Sequence, residues 1–342
     1  MEAKIKRILM ACATLVIILL MILYVDFKTI LNYLQQISVL GIILFTIVYT
    51  IAFIFRALKL KVVFNGINSK PKYTTIYGAI GTGWAINELT PAKIGDLAKM
   101  EYIRQKESNI PLSKSLCAVL IDRFIDLIIL FTITSGTLLY IYMSDVSYSS
   151  ELNLQFFIII GAVILLLALI ALLLIFFKTD WLLNVVAKFS LKLRDALARF
   201  IKRFVEGLRD FRKDRRRIFL VLLYNIPTWF FESLTIVILF YLSGFQINFF
   251  IIILAQIITF FTKSIPITPG GWGVSEIIGA LMISLMYPAI PYNEILSIFI
   301  LDHILRIVYV FIYGGVSTIA INFKYKSLDI KRLDSVEVKP SE

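Results

Sequence analysis

The chain has 342 residues, length enough for two soluble domains, but 59% of them are hydrophobic and only 17% charged, where soluble domains run near a quarter charged. With a mean hydropathy of +0.86, this is the composition of an integral membrane protein, and its continuous apolar runs exclude a strand barrel. Net charge is +12, from 35 Lys and Arg against 23 Asp and Glu, and its placement decides whether it means nucleic acid or topology.

The first apolar run, 8–25, follows Lys4, Lys6 and Arg7 and is succeeded by Asp26, Phe27 and Lys28. No small-residue cleavage site follows it, so it reads as an uncleaved helix. Further runs at 38–55, 112–142, 154–177, 218–242 and 295–323 are also long enough to cross about 30 Å of hydrocarbon. Shorter, interrupted runs lie at 73–89 and 249–286. With the N-terminus inside, segments 1–7, 56–72, 92–114, 178–217 and 324–342 hold 31 of the 35 Lys and Arg. Only Lys28 falls outside, and Arg123, Lys263 and Arg306 fall within spans. The positive-inside rule therefore predicts a multi-pass protein of the plasma membrane with both termini cytoplasmic.

Within 178–217, 13 Lys and Arg face 5 Asp and Glu. There Phe189, Leu193, Leu197, Phe200, Phe204, Leu208 and Phe211 recur at helical spacing, which predicts a basic amphipathic helix over 181–213 lying in the inner interface. It reads as an orientation signal and surface anchor, with lipid recruitment as the other reading. No groove-reading motif accompanies it, so nucleic acid is not an expected partner. Cys12 and Cys117 sit in apolar runs and form neither a disulfide framework nor a zinc spacing.

The most informative feature is a repeat. Thr90-Pro91-Ala92-Lys93-Ile94-Gly95 and Thr268-Pro269-Gly270-Gly271-Trp272-Gly273 share the pattern TPxxxG after a short apolar run, and Pro266 reinforces the second. Proline removes a backbone donor and disfavours helix in the residue before it, so each site breaks a helix. By the charge count, hairpin 73–114 begins and ends inside while hairpin 249–294 begins and ends outside. The expected fold is an all-α polytopic membrane domain over 1–323 with six full spans and two broken or re-entrant hairpins. Its halves, about 38–142 and 218–323, form an inverted repeat with a site near the midplane, and 324–342 is a cytoplasmic tail. Two ordinary helical hairpins are the alternative.

Ionisable residues in mid-membrane normally face a bundle interior and find partners. Asp122, Arg123 and Asp126 share one helical turn, with Arg123 and Asp126 at i, i+3, and Asp302 and Arg306 form an i, i+4 pair. Glu232 stands near Asn225 and Pro227 without a local partner. Lys263 and Glu276 flank the second break, and Arg56 ends the second span at the cytoplasmic edge. These pairs read either as cross-links between helices or as gates on a polar path. His303, the sole histidine, reads as a packed residue more than a ligand. Gly78, Gly81 and Gly83 read as close helix packing. Metal spacing, nucleophile elbow and nucleotide phosphate loop are all missing from the sequence, so no cofactor, metal or catalytic residue is expected.

The runs Asn87-Glu88-Leu89-Thr90-Pro91-Ala92-Lys93-Ile94-Gly95-Asp96, Asp122-Arg123-Phe124-Ile125-Asp126 and Pro266 to Glu276 together resemble the lysylphosphatidylglycerol synthase transmembrane region, or flippase-like domain family, over roughly residues 5–325. Lys93 and Asp96 stand where that family usually has Arg and Glu, and Asp122 where it often has Glu, so charge is kept. Larger members carry an aminoacyltransferase domain, and some archaeal relatives a glycosyltransferase domain. Only 19 residues follow Phe323 here, so lysyltransferase activity is not expected of this chain. The resemblance implies movement of a lipid between leaflets, by a secondary or passive mechanism. The lipid would be an anionic or aminoacylated phospholipid or a polyprenyl-phosphate-linked one.

The expected substrate contacts are Arg56, Asn87, Thr90, Pro91, Lys93, Asp96, Thr268, Pro269, Gly270, Gly271 and Glu276, aided by helix N-termini after the breaks. The expected gating or ion-pair residues are Asp122, Arg123, Asp126, Glu232, Lys263, Asp302 and Arg306. Two alternatives stand beside this. One is a membrane subunit for a separately encoded transferase, and the other an integral-membrane enzyme on a lipid head with Glu232 or Asp122 as base. A homo-oligomer is compatible with either.

Overall fold

A computed structural model describes residues 27–90, 94–143, 191–263 and 268–323, together with isolated positions between 181 and 188. These form helices joined by short turns, with no strand among the described residues. In chain order they are α1 (Phe27–Gln36), α2 (Val39–Gly66), α3 (Tyr73–Leu89), α4 (Gly95–Lys106), α5 (Leu112–Met143), α6 (Leu191–Arg212), α7 (Arg215–Leu242), α8 (Phe249–Thr262), α9 (Val274–Met286) and α10 (Tyr292–Ile319). The expected spans at 8–25 and 154–177, and the tail 324–342, lie outside the described residues.

Val39–Gly66, Arg215–Leu242, Tyr292–Ile319 and the stretch Pro269–Met286 are long and apolar enough to cross a membrane. The last is not one rod. A 3-10 turn at Pro269–Gly271 precedes α9, whose 13 residues reach only about 20 Å. The second span also departs from expectation. It does not end at Phe55 but runs on as one helix of 28 residues past Arg56 and Lys59. Both cations are buried against carboxylates. Capping fixes the starts of the long helices. Ser38 accepts from the Gly41 amide at 3.1 Å ahead of α2, and Asp214 from the Arg216 amide at 3.0 Å ahead of α7, each satisfying a donor the helix leaves open.

Both breaks form as the prolines dictate. Thr90 leaves α3 with φ −130° and ψ 142°, and Thr268 precedes its proline with φ −128° and ψ 152°, the extended conformation forced on a residue before proline. In the second break Gly270 and Gly271 have φ of 61° and 80°, a region side-chain-bearing residues seldom adopt.

The two halves of the chain interlock. α2 packs along α7, α3 along α10, and α5 against α8. Within the first half α2 meets α3 and α5, and α4 meets α3 and α5; within the second, α7 meets α8 and α10, and α9 meets α8 and α10. The glycines allow the closest of these approaches. A methyl on Gly81 would meet the Tyr313 ring at 2.8 Å, and one on Gly314 the Gly81 carbonyl at 2.6 Å. Close backbone approach through small residues is how helices pack without a hydrophobic drive.

α6 corrects the expectation of a helix with its apolar face in lipid. Phe204 and Phe211 are buried against the bundle, Phe204 beside Phe124 and Phe211 beside Gly66. Docking on protein removes the same apolar surface from water that the interface would have. The core is mostly apolar, but it also holds charged side chains while large apolar ones lie outside, unlike a soluble protein. Arg56, Lys59, Asp126, Glu232, Asp302 and Arg306 are buried, while Val39, Leu40, Ile312, Val316 and Ile319 are among the most exposed side chains. An apolar exterior around an interior that holds charges suits lipid as solvent.

Candidate functional site

Three groups of charged side chains line the interior. The first belongs wholly to the first half of the chain. Lys59 of α2 holds Asp122 at 3.0 Å and Asp126 at 2.5 Å. Arg123 grips Asp96 with two parallel bonds, from Nε at 3.0 Å and Nη2 at 2.8 Å, and reaches Asp126 at 3.7 Å. Lys99 closes the chain on Asp96 at 2.7 Å. Three cations thus face three carboxylates. The expected Arg123–Asp126 pair is present but secondary. The cation of Asp122 and Asp126 is Lys59, which sequence reading missed because a lysine just past an apolar run looks like a topology signal.

The second group joins the halves. Glu232, which has no partner on its own helix, binds Arg56 of α2, while Arg306 of α10 reaches its other carboxylate oxygen at 3.5 Å. Arg306 also binds Asp302 at 2.7 Å, the Glu232 carbonyl at 2.8 Å and the Thr235 hydroxyl at 2.6 Å. Aromatic faces enclose both guanidinium groups. Arg56 lies 4.5 Å from the centroid of Trp84, and Arg306 4.8 Å from that of Tyr49, geometry that stabilises a cation withdrawn from water. Two cations again match two carboxylates.

The third group sits between the breaks. His303 of α10 is bonded through Nδ1 to Glu276, at the start of α9, and faces Glu88, at the end of α3, with Nε2 at 3.2 Å. Lys263, which caps α8, stands 3.5 Å from the same Nε2, and Trp272 stacks on the imidazole at 4.8 Å. His303 is therefore not simply a packed residue. Nothing in its sequence neighbourhood indicated Glu88 as a partner, because the two are 215 residues apart.

Two adjoining cavities, each of about 40 Å³, share Trp84, Glu88, Phe260 and Lys263. Asn87 and Thr90 of the first break and Thr268 and Gly270 of the second line one; Glu232, Asp302 and Arg306 line the other. The polar loop residues are already engaged in shaping the breaks. Asn87 accepts from the Gly95 amide at 2.7 Å, Thr90 donates to the Ile86 carbonyl at 2.6 Å, and Thr268 donates to the Trp272 carbonyl at 2.9 Å. Helix starts beyond the breaks are also occupied. The first turns of α4 and α9 carry Asp96 and Glu276, so these helix ends already face a carboxylate, contrary to the expectation that they await a phosphate. Pro91 and Lys93 lie outside the described residues. Among the described residues no cluster of His, Cys, Asp and Glu has the arrangement of a metal site.

An all-helical fold with an apolar exterior, span-length helices and charges buried around a central cavity defines a multi-pass membrane protein. Residues 10–314 match the lysylphosphatidylglycerol synthase TM region, and the chain belongs to that family. It is similar to the UPF0104 membrane protein PH1989 of Pyrococcus horikoshii, with 22% identity over 91% of this chain and 96% of that protein. It is also similar to the UPF0104 membrane protein MJ1078 of Methanocaldococcus jannaschii, with 25% identity over 68% of this chain and 92% of that protein.

Proposed function

We propose that the protein moves an anionic lipid between leaflets without altering it, the headgroup passing through the cavities between the two breaks while the chains stay in lipid. The observation that carries this reading is that both helix breaks and all three charged groups border the same two cavities. Irregular backbone at membrane depth is tolerated where it lines such a space. The indole nitrogens of Trp84 and Trp229, and Nε of Arg56, are buried and meet no acceptor among the described residues. Indole and guanidinium nitrogens only donate, so an incoming phosphate oxygen is the complement they lack. Phosphatidylglycerol, its aminoacylated form and polyprenyl phosphates all supply one.

The reading includes an inverted repeat, with α2 to α5 and α7 to α10 as its halves. Its support is that contacts come in matched pairs, α3 with α10 and α8 with α5, around a shared α2–α7 contact. It places both termini and Lys99 on the cytoplasmic side of the plasma membrane and Tyr292 outside. A separately encoded transferase is the partner expected to supply or consume the lipid.

The test is leaflet-resolved transfer in vesicles of purified protein. A labelled anionic lipid should change leaflet with no nucleotide added and no change in mass. Transfer that requires ATP, or a product of altered mass, overturns the proposal. Single cysteines near Lys99 and near Tyr292, in a background lacking Cys12 and Cys117, should label from opposite faces; labelling from one face removes the inverted repeat.

A further inference from the structure

We propose that His303 holds a proton between the two broken hairpins, and that release of this proton through Glu88 frees one hairpin from the other. The first observation is geometric. One imidazole faces a carboxylate with each nitrogen, Glu276 at Nδ1 and Glu88 at Nε2. A neutral imidazole has one N–H and one lone pair, so it would turn a lone pair on one of those carboxylates. Only the doubly protonated ring donates to both.

Charge balance gives the second. The other two buried groups match cation for carboxylate. Here Glu88 and Glu276 face Lys263 alone, so the group is one proton short of neutral, and the imidazole between the two carboxylates is where the geometry puts that proton. The third is Oε2 of Glu276, which is buried and meets no donor among the described residues. Its Oε1 takes both the imidazole and the Ser275 hydroxyl at 2.9 Å, which leaves Oε2 as a second place for a proton.

Among the described residues, no other charged group on the helices around His303 competes for it. Asp302 and Arg306, its neighbours on α10, bind each other, and Glu232 of α7 is taken by Arg56 and Arg306. At the far end of α10, Glu294 accepts from Tyr33 of α1. The exit is also defined. Glu88 lines both cavities, so a proton passing from Nε2 to Oε2 of Glu88 enters the path proposed for the headgroup. Once it leaves, the Nε2 lone pair opposes the Glu88 carboxylate, and Lys263 is the donor positioned to take that lone pair instead. The tie between the end of α3 and α10 is then lost while the tie to α9 remains.

What the proton drives rests on the translocation reading; the proton site itself does not. The two are tested separately. Because His303 is the only histidine, protein labelled with nitrogen-15 histidine in lipid nanodiscs gives one imidazole to follow. Both ring nitrogens should carry protons at neutral pH, and Glu88→Gln should shift the ring to a single neutral tautomer. A wild-type ring that stays a neutral tautomer between about pH 5 and 8, the window in which an unperturbed histidine titrates, overturns the proposal.

In phosphatidylglycerol vesicles with the membrane potential clamped, one proton per lipid predicts about tenfold accumulation of a labelled anionic lipid per unit of pH gradient. A protonophore should abolish that accumulation, and His303→Gln should bring the ratio of rates with and without the gradient to one. Wild-type transfer indifferent to the gradient overturns the coupling. A doubly protonated ring without lipid transfer under any gradient leaves the proton bridge standing and removes the translocation reading.

Discussion

The two arginine-centred networks differ in what they connect. Arg123, Lys59 and Lys99 tie α2, α4 and α5, all within one half of the chain. Arg56 of α2 ties to Glu232 of α7 across the halves, and Arg306 and Asp302 of α10 support Glu232 from within the second half. If the halves rock against each other, the first network travels as a unit, whereas the Arg56–Glu232 link of the second must break and re-form. Two buried networks, each balanced in charge, therefore imply different roles, one a clamp and the other a gate.

The largest expected effect separates them on the clamp side. Lys59→Met leaves Asp122 and Asp126 side by side without their cation, and stranding buried charges in this way costs about 3–5 kcal/mol. Thermal unfolding in detergent should show the loss, and wild-type stability would take Lys59 out of the clamp. Arg123→Ala is expected to cost less, roughly 1.5–3 kcal/mol, because Lys99 still holds Asp96 and Lys59 still holds the other two acids. In Lys59→Met, whose side chain lines neither cavity, the protein that does fold should transfer lipid at nearly the wild-type rate. Arg56→Lys has the smallest expected effect on stability and a clear one on transfer. A lysine keeps the charge beside Glu232 but loses the planar face that Arg56 lays against Trp84. Transfer should fall about tenfold, equivalent to about 1.4 kcal/mol in the barrier. Normal transfer with collapsed stability would put both networks in the same role and erase the comparison.

The same contrast explains what could be read in advance. The breaks were legible because proline and glycine act on their own backbone, and Asp302–Arg306 because both lie on one helix face. Gly81 against Tyr313 was half legible, the need for close packing but not the partner. Lys59 with Asp126 is separated by 67 residues and Arg56 with Glu232 by 176, and no local rule connects such positions. Arg56 and Lys59 also look like the positive flank of a span until the helix is seen to continue through them. The apolar face of α6 was correctly periodic, but periodicity does not distinguish lipid from protein as the surface it meets.

The tryptophans give the cavities a built-in optical signal. Of the four in the chain, Trp84 and Trp229 line the walls and Trp272 stacks on His303, while Trp181 is exposed. Intrinsic emission is thus weighted towards the path itself. Entry of a headgroup against Trp84 and Trp229 should shift the emission wavelength, and a change of charge on the imidazole should alter quenching of Trp272, so occupancy and the state of the bridge can be followed in unlabelled protein.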